Sequence, residues 1–383
     1  MTSRSRKFRT RPSLLLTTLG LLSIGGLLAA CESGVSRTVS AEKRAAAVLP
    51  QHEEYAKFGY RVDWRGFPIM TEGETIEQME ILGDVVAVQD SGSVLSILET
   101  RSGERRWSDP VAGPLTRFVG IVRSDKSIIV SSESEAFFFD SDTGALQDKQ
   151  KLAQVVNTRP LKVGPILVYG CSNGQILGHL TLNGFRQWGS FLSDAIEADP
   201  VQLNDEGVIG VVCRSGDVLI LNGAQGFAYG RNRMFGGTDA RLAASDSTLF
   251  VASTDHSLYA FSRDGASLSW RQRTDAPLKF SPTYHDGKVY CDMGRDGLCC
   301  FEAYAGGRIW SNSSVHGTVI ATRNSRLLVW DGSTVTLVNP ADGSVFASAP
   351  LPDVSIIKTD RFEDGNIYLA APIGVVTKLT PRY

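Results

Sequence analysis

The chain has 383 residues and a mass of 41.5 kDa, with 42% hydrophobic and 21% charged residues, which excludes a disordered or collagen-like chain and leaves ample length for a large core. Its 38 glycines against 15 prolines suit many tight turns and favour β structure. The net charge of −2 hides an asymmetry: residues 1–30 carry five basic groups and no acids, and the remainder holds 34 basic and 41 acidic side chains, a poor match for nucleic acid or anionic lipid.

The basic residues Arg4, Arg6, Lys7, Arg9 and Arg11 precede an apolar run from Leu14 to Leu28. Basic start, apolar centre and small residues make a secretory signal, too short for the roughly 20 residues of a membrane span. The run ends in Leu28-Ala29-Ala30-Cys31, which resembles the bacterial lipobox. The resemblance implies a lipoprotein signal peptide over 1–30 and lipidation of Cys31. Each buried CH₂ of the acyl chains contributes ~0.8 kcal/mol, so several chains anchor firmly. Glu32 follows, where an Asp would favour retention at the inner membrane in enteric bacteria; under that rule the expectation is the outer membrane, facing the periplasm. Residues 31–55 read as the lipidated Cys and a polar, Ala-rich tether with a helical turn or two around Ala41–Leu49. No other segment is expected to cross a membrane.

From residue 56 to 383 one cadence recurs: apolar strand, polar turn, second apolar strand, Gly, then an aromatic or apolar position four or five residues on. The clearest copies run from Gly103 to Trp107, Gly184 to Trp188, Gly265 to Trp270 and Gly306 to Trp310. Turn glycines are expected at 103, 144, 184, 223, 265, 306 and 343, a period near 40. Short β-branched and aromatic segments such as Thr248–Ala252, broken by Asp-Gly at 264, 286, 296, 331, 342 and 364, are strands and hairpins rather than helices. This period predicts an all-β, eight-bladed β-propeller. Seven blades are complete. The eighth is split: Ile356 to Leu379 lacks a closing Trp strand, and Gly59-Tyr60-Arg61-Val62-Asp63-Trp64 supplies one from the other chain end. Such closure removes exposed sheet edges.

The blade pattern resembles the PQQ-like repeat family, whose blades end in roughly Ala-x-x-Gly-x-x-x-Trp. DGLCCFEAYAGGRIW (296–310) fits best; blades 2, 4 and 7 lack the Trp. An eight-bladed propeller of such repeats behind a lipobox resembles the BamB family of scaffold lipoproteins in the outer-membrane protein assembly machine. What that implies is a lipid-anchored, non-catalytic binding scaffold for β-barrel assembly, with a barrel-assembly protein as partner, no nucleic acid and no cofactor. The alternatives are an exported propeller that binds carbohydrate or a small ligand, and a PQQ-dependent dehydrogenase-like enzyme.

No catalytic or metal-binding residues are assigned. Quinoprotein dehydrogenases of this repeat often carry a vicinal disulfide, and Cys299-Cys300 is vicinal. It falls inside the third strand of blade 6, where neighbours point to opposite faces. Cys171, Cys213 and Cys291 read as small buried thiols, with a bridge from Cys291 to Cys299 or Cys300 left open. Zinc spacing is absent. His52, His179, His256, His285 and His316 are isolated and read as surface or turn residues. Gly170-Cys171-Ser172-Asn173-Gly174 matches G-x-S-x-G but precedes a strand, so it reads as a hairpin turn. One segment breaks the cadence: residues 228–242 combine Arg231, Arg233, Met234, Phe235 and Arg241 on what reads as an interblade loop, the composition of an interface centre. Scaffolds of the resembled family contact their barrel partner through interblade loops, so these five are the expected partner-binding residues.

Overall fold

A computed structural model describes residues 52–113 and 115–382. The expected signal peptide, Cys31 and the tether up to residue 51 lie outside the described residues. Among the described residues no helix is long and apolar enough to cross a membrane.

Eight four-stranded antiparallel sheets form the predicted propeller. Blades 1 to 7 span residues 76–110, 118–151, 161–191, 201–233, 243–273, 283–312 and 318–350. Innermost strands of neighbouring blades pack side by side around an axis. The Asp286-Gly287 turn has positive φ at both residues, +47° and +71°, as a two-residue hairpin with the strand twist requires.

The split blade closes the ring as expected. Strand β1 (Tyr60–Gly66) pairs antiparallel with the last strand (Val375–Pro381), from Tyr60 opposite Pro381 to Gly66 opposite Val376. Arg323, almost fully buried, holds both chain ends. Its Nε donates to Gly59 O at 3.1 Å, Nη2 to Arg382 O at 2.6 Å, and Nη1 pairs with Asp364 at 2.7 Å. A short helix, α1 (His52–Lys57), precedes β1. Tyr55, expected in the tether, is fully buried there.

The core is distributed along the seams between blades. Each seam holds its own apolar cluster, because both faces of every blade are covered. This explains why middle strands such as Val85–Asp90 are buried at every position and show no alternation in their sequence.

Five seams share one device. Trp64, Trp107, Trp188, Trp270 and Trp310 stand on outermost strands. Each donates its indole N–H to a carbonyl in the turn of the next blade (Thr100, Ser141, Gly223, Ala303 and Pro340) at 2.9–3.1 Å. Each ring lies against a turn glycine of that blade. A Cβ on Gly103, Gly144, Gly226, Gly306 or Gly343 would stand 2.4–2.7 Å from the indole. These glycines also have φ between +72° and +78°, so the position excludes a side chain for two reasons. The turn glycine of blade 4 is therefore Gly226, not the expected Gly223, whose φ is not positive and whose carbonyl instead accepts from Trp188.

Blades 2, 4 and 7 solve the missing Trp differently. In blade 2, Gln150 Nε2 donates to Thr181 O at 2.8 Å and lies on Gly184, while its Oε1 meets His179 Nε2 at 2.7 Å. In blade 4, Gly230 occupies the Trp register position and meets the backbone of Gly265 directly; a Cβ would stand 2.0 Å from the Gly265 carbonyl carbon. Asn232 Nδ2 donates to Ala266 O at 2.8 Å across the same seam. Blade 7 has Ala347 at that position, and blade 8 has no turn there because its outermost strand comes from the other end of the chain. Tyr55, Phe58 and Tyr60 fill that seam.

Gly306 and Gly265 therefore share a backbone conformation (φ +72° and +75°) but differ in what faces their missing Cβ: Trp270 at 2.6 Å for the first, nothing within 4 Å for the second. Gly265→Ala is expected to cost about 1 kcal/mol of backbone strain, and Gly306→Ala about 3 kcal/mol, since it adds overpacking against the indole. Denaturant unfolding of the two variants measures the difference.

Candidate functional site

Interblade loops and the turns joining second to third strands interlock on one face of the disc. Met234 N–H donates to Gly216 O at 2.8 Å, Thr254 N–H to Gly237 O at 3.0 Å and Arg214 N–H to Ala195 O at 2.8 Å. These bonds fix a surface of loops on a rigid scaffold, where binding residues are commonly carried.

The five residues expected to act together fall in three places. Ala228–Arg233 is the outermost strand of blade 4 rather than loop, because the turn that precedes it ends at Gly226. Arg231 and Arg233 project from this strand and are exposed. Arg231 reaches back to blade 3, donating to Phe191 O and Ser190 Oγ, both at 2.8 Å. Arg233 faces Asp217 at 3.5 Å. Met234 is 2% exposed and packs in the seam between blades 4 and 5, so in this structure it is core and not contact surface. Phe235, its neighbour, is 85% exposed. Arg241 lies two residues before the innermost strand of blade 5 (Ala243–Ala244), and its charge interacts with Arg159, Asp199 and Glu80 at the axis of the ring.

Phe235 does not wave free. Its N–H donates to Asp255 Oδ2 at 3.2 Å, and its ring covers the Arg271 guanidinium at 5.3 Å. The same guanidinium lies over the Tyr259 ring at 4.8 Å. Arg271 Nε donates to Ser257 Oγ at 2.9 Å, and Tyr259 donates its hydroxyl proton to Asp255 Oδ2 at 2.5 Å. Burial, with the Asp255 carboxylate beside it, pushes the Tyr259 phenol up to about 12, so it stays a donor. Two cation–π contacts to one guanidinium thus present one large exposed apolar ring in a held position, the form of an interface anchor. Arg271 and Tyr259 were not singled out in the sequence. The available signal was that Arg271 follows a seam Trp, and strand alternation turns it away from that seam. At the other end of the Ala228–Arg233 strand, Phe227 and Tyr229 form an exposed T-shaped pair at 5.0 Å.

Cys171, Cys213, Cys291, Cys299 and Cys300 are all free and buried. Cys299 and Cys300 point into different seams, as strand alternation requires. Cys291 stands opposite Cys299 in the hairpin register, yet both are thiols. Burial pushes the thiols of Cys171 and Cys299 up to about 12 and that of Cys300 to about 11, far from the thiolate a nucleophile needs. Residues 170–174 form the expected hairpin turn. His179 departs from expectation: it is buried mid-strand against Gln150, and desolvation holds its pKa below the usual imidazole value. Among the described residues no cluster of three or more His, Cys, Asp or Glu side chains could hold a metal ion.

The family model described as outer membrane protein assembly factor BamB matches residues 64–228 and 214–356, and the chain belongs to that family. The crystal structure of BamB from Moraxella catarrhalis superposes with a TM-score of 0.64 at 18% identity, covering 79% of this chain and 93% of that one. The computationally designed Ika8 protein superposes with a TM-score of 0.65 at 12% identity, covering 82% and 98%. No curated protein sequence matches.

Met234 and Phe235 are adjacent but oppositely placed, which gives a direct test. Met234→Ala is expected to cost about 2–4 kcal/mol of stability, and Phe235→Ala to stay within about 0.5 kcal/mol. Thermal unfolding of both variants measures it.

Proposed function

We propose, from its membership of the outer membrane protein assembly factor BamB family, that this chain is a lipid-anchored, non-catalytic binding scaffold in the assembly of outer-membrane β-barrel proteins. In this reading the lipid at Cys31 holds the disc at the outer membrane on its periplasmic side. The loop face docks a barrel-assembly partner. The observation that carries the reading is the exposed Phe235 ring, held in place by Arg271 and Asp255 on a face whose loops are otherwise locked together. A preordered aromatic ring loses little freedom on binding, which is where anchor residues gain their affinity.

Mechanistically the propeller works by presentation. Phe235 would enter an apolar pocket of the partner. Arg231 and Arg233 at the neighbouring blade edge would meet its carboxylates or carbonyls, a role that favours on-rate and orientation. Arg231 has already committed two donors to blade 3, so its remaining N–H groups point in a fixed direction. The buried thiols and the buried His179 take no part.

The test is purification of the lipidated protein in mild detergent from its own membranes, with mass spectrometry of what stays bound. The expected companion is an outer-membrane barrel with periplasmic repeats. Replacing Arg231, Arg233 and Phe235 together by Ala should reduce its recovery at least about tenfold (~1.4 kcal/mol) with the melting temperature unchanged. Recovery of the propeller alone would sink the assembly reading; full recovery with the triple variant would sink this face as the docking site. Cys31→Ser should release the protein from membranes.

A further inference from the structure

The axis of the ring holds a charge cluster that the scaffold reading does not use. Glu80 comes from the innermost strand of blade 1 (Ile76–Leu82) and Lys358 from that of blade 8 (Ile356–Thr359). Arg159, Asp199 and Arg241 each stand two residues before the innermost strand of blades 3, 4 and 5, at corresponding positions of successive repeats. Ser281 is the corresponding residue of blade 6. Neighbours in this series cap each other: Arg159 N–H donates to Asp199 Oδ1 at 2.9 Å, and Arg241 N–H to Ser281 Oγ at 3.0 Å.

The two carboxylates are already engaged. Glu80 accepts from Lys358 Nζ at 3.1 Å on both oxygens and is ion-paired with Arg159. Arg159 reaches Glu80 across blade 2 because Gly120 offers no side chain; a Cβ there would stand 2.9 Å from Arg159 Cγ. Asp199 accepts the Arg159 backbone N–H and faces its guanidinium at 3.7 Å. Three cations therefore meet two anions. The cation left over is Arg241, whose guanidinium has no hydrogen-bond or ion-pair partner among the described residues and which is exposed to solvent, open to a ligand. Partial desolvation and then the Arg159 charge hold its pKa below the ordinary arginine value, against the pull of Asp199 and Glu80. Lys358 is held down by burial and by both arginines, with Glu80 opposing.

We propose that the axial channel is a binding site for a small oxyanion, a phosphate or a carboxylate, seated on the Arg241 guanidinium with Arg159 and Lys358 beside it. A guanidinium presents its N–H donors as a fork that matches two oxygens of a carboxylate or phosphate. One negative charge brings the cluster to neutrality and relieves the mutual repulsion of three cations confined together. The site is separate from the Phe235 surface and stands whether or not that surface docks a partner.

The experiment is calorimetric titration of the full chain in mild detergent with inorganic phosphate and, separately, with succinate, at constant ionic strength. Saturable one-to-one binding of either anion is expected, and which one binds distinguishes the two chemistries. Arg241→Gln should weaken it at least tenfold, whereas Arg271→Gln on the loop face should leave it unchanged. In anion-free buffer Arg241→Gln should melt no lower than the wild type, because it removes an uncompensated charge and no hydrogen bond or ion pair. Absence of saturable binding by both anions, undiminished binding in Arg241→Gln, or a lower melting temperature for that variant without anion would each overturn the proposal.

Discussion

The fold depends on one contact made five times: an indole laid on a bare glycine, with its N–H tied to a carbonyl of the next blade. This contact couples the outermost strand of one repeat to the turn of the following one. It therefore sets the repeat period, because strand lengths and turn positions must return a glycine under each ring. The ring contributes apolar burial and the N–H contributes direction, and either alone would leave neighbouring blades free to slide. Where the indole is missing, blade 2 finds a donor across the seam in Gln150, blade 4 closes by direct backbone approach at Gly230, and the seam after blade 7 is filled by aromatic rings.

Much of this architecture was legible because a repeat states its rule several times. Gly306 and Trp310 mean little alone; with Gly103–Trp107 and Gly184–Trp188 they define a period, a blade and a count. The split blade was legible for the same reason, since a Trp strand without a blade and a blade without a Trp strand lie at opposite ends of the chain. The misreadings came where one repeat departs from its sisters. Blade 4 contains both Gly223 and Gly226, and only backbone geometry separates the turn glycine from its neighbour. His179 looked like a surface histidine because nothing nearby in sequence announces Gln150 as its partner. Tyr55 looked like tether because the seam it fills exists only once the ring has closed.

The loop face and the axis show two different limits of sequence reading. Residues 231–235 were visible as a departure from the cadence, yet composition could not tell Met234, which is core, from Phe235, which is surface. Both lie just past the end of the strand, and only the way the loop packs into the seam between blades 4 and 5 separates them. Glu80, Arg159, Asp199, Arg241 and Lys358 span 278 positions between the first and the last, and ring closure alone brings them together. Their corresponding positions in successive repeats were derivable; their meeting as a charge-unbalanced group was not.

The closing strand has a mechanical meaning. Tyr60 pairs with Pro381, so the first rung of the closing ladder is the one nearest the segment that leads in from the N-terminus. A pull on that segment would open β1 in the zipper geometry, one rung at a time, which is the weak direction of a β-ladder. Between the pull and that first rung lie Tyr55 and Phe58, sunk in the seam, and the buried Arg323 that grips Gly59 and Arg382 together. Force is thereby diverted from the ladder into a packed seam and an arginine clasp. A ring pulled from the segment ahead of β1 can in this way withstand tugging without unwinding from the strand that seals it.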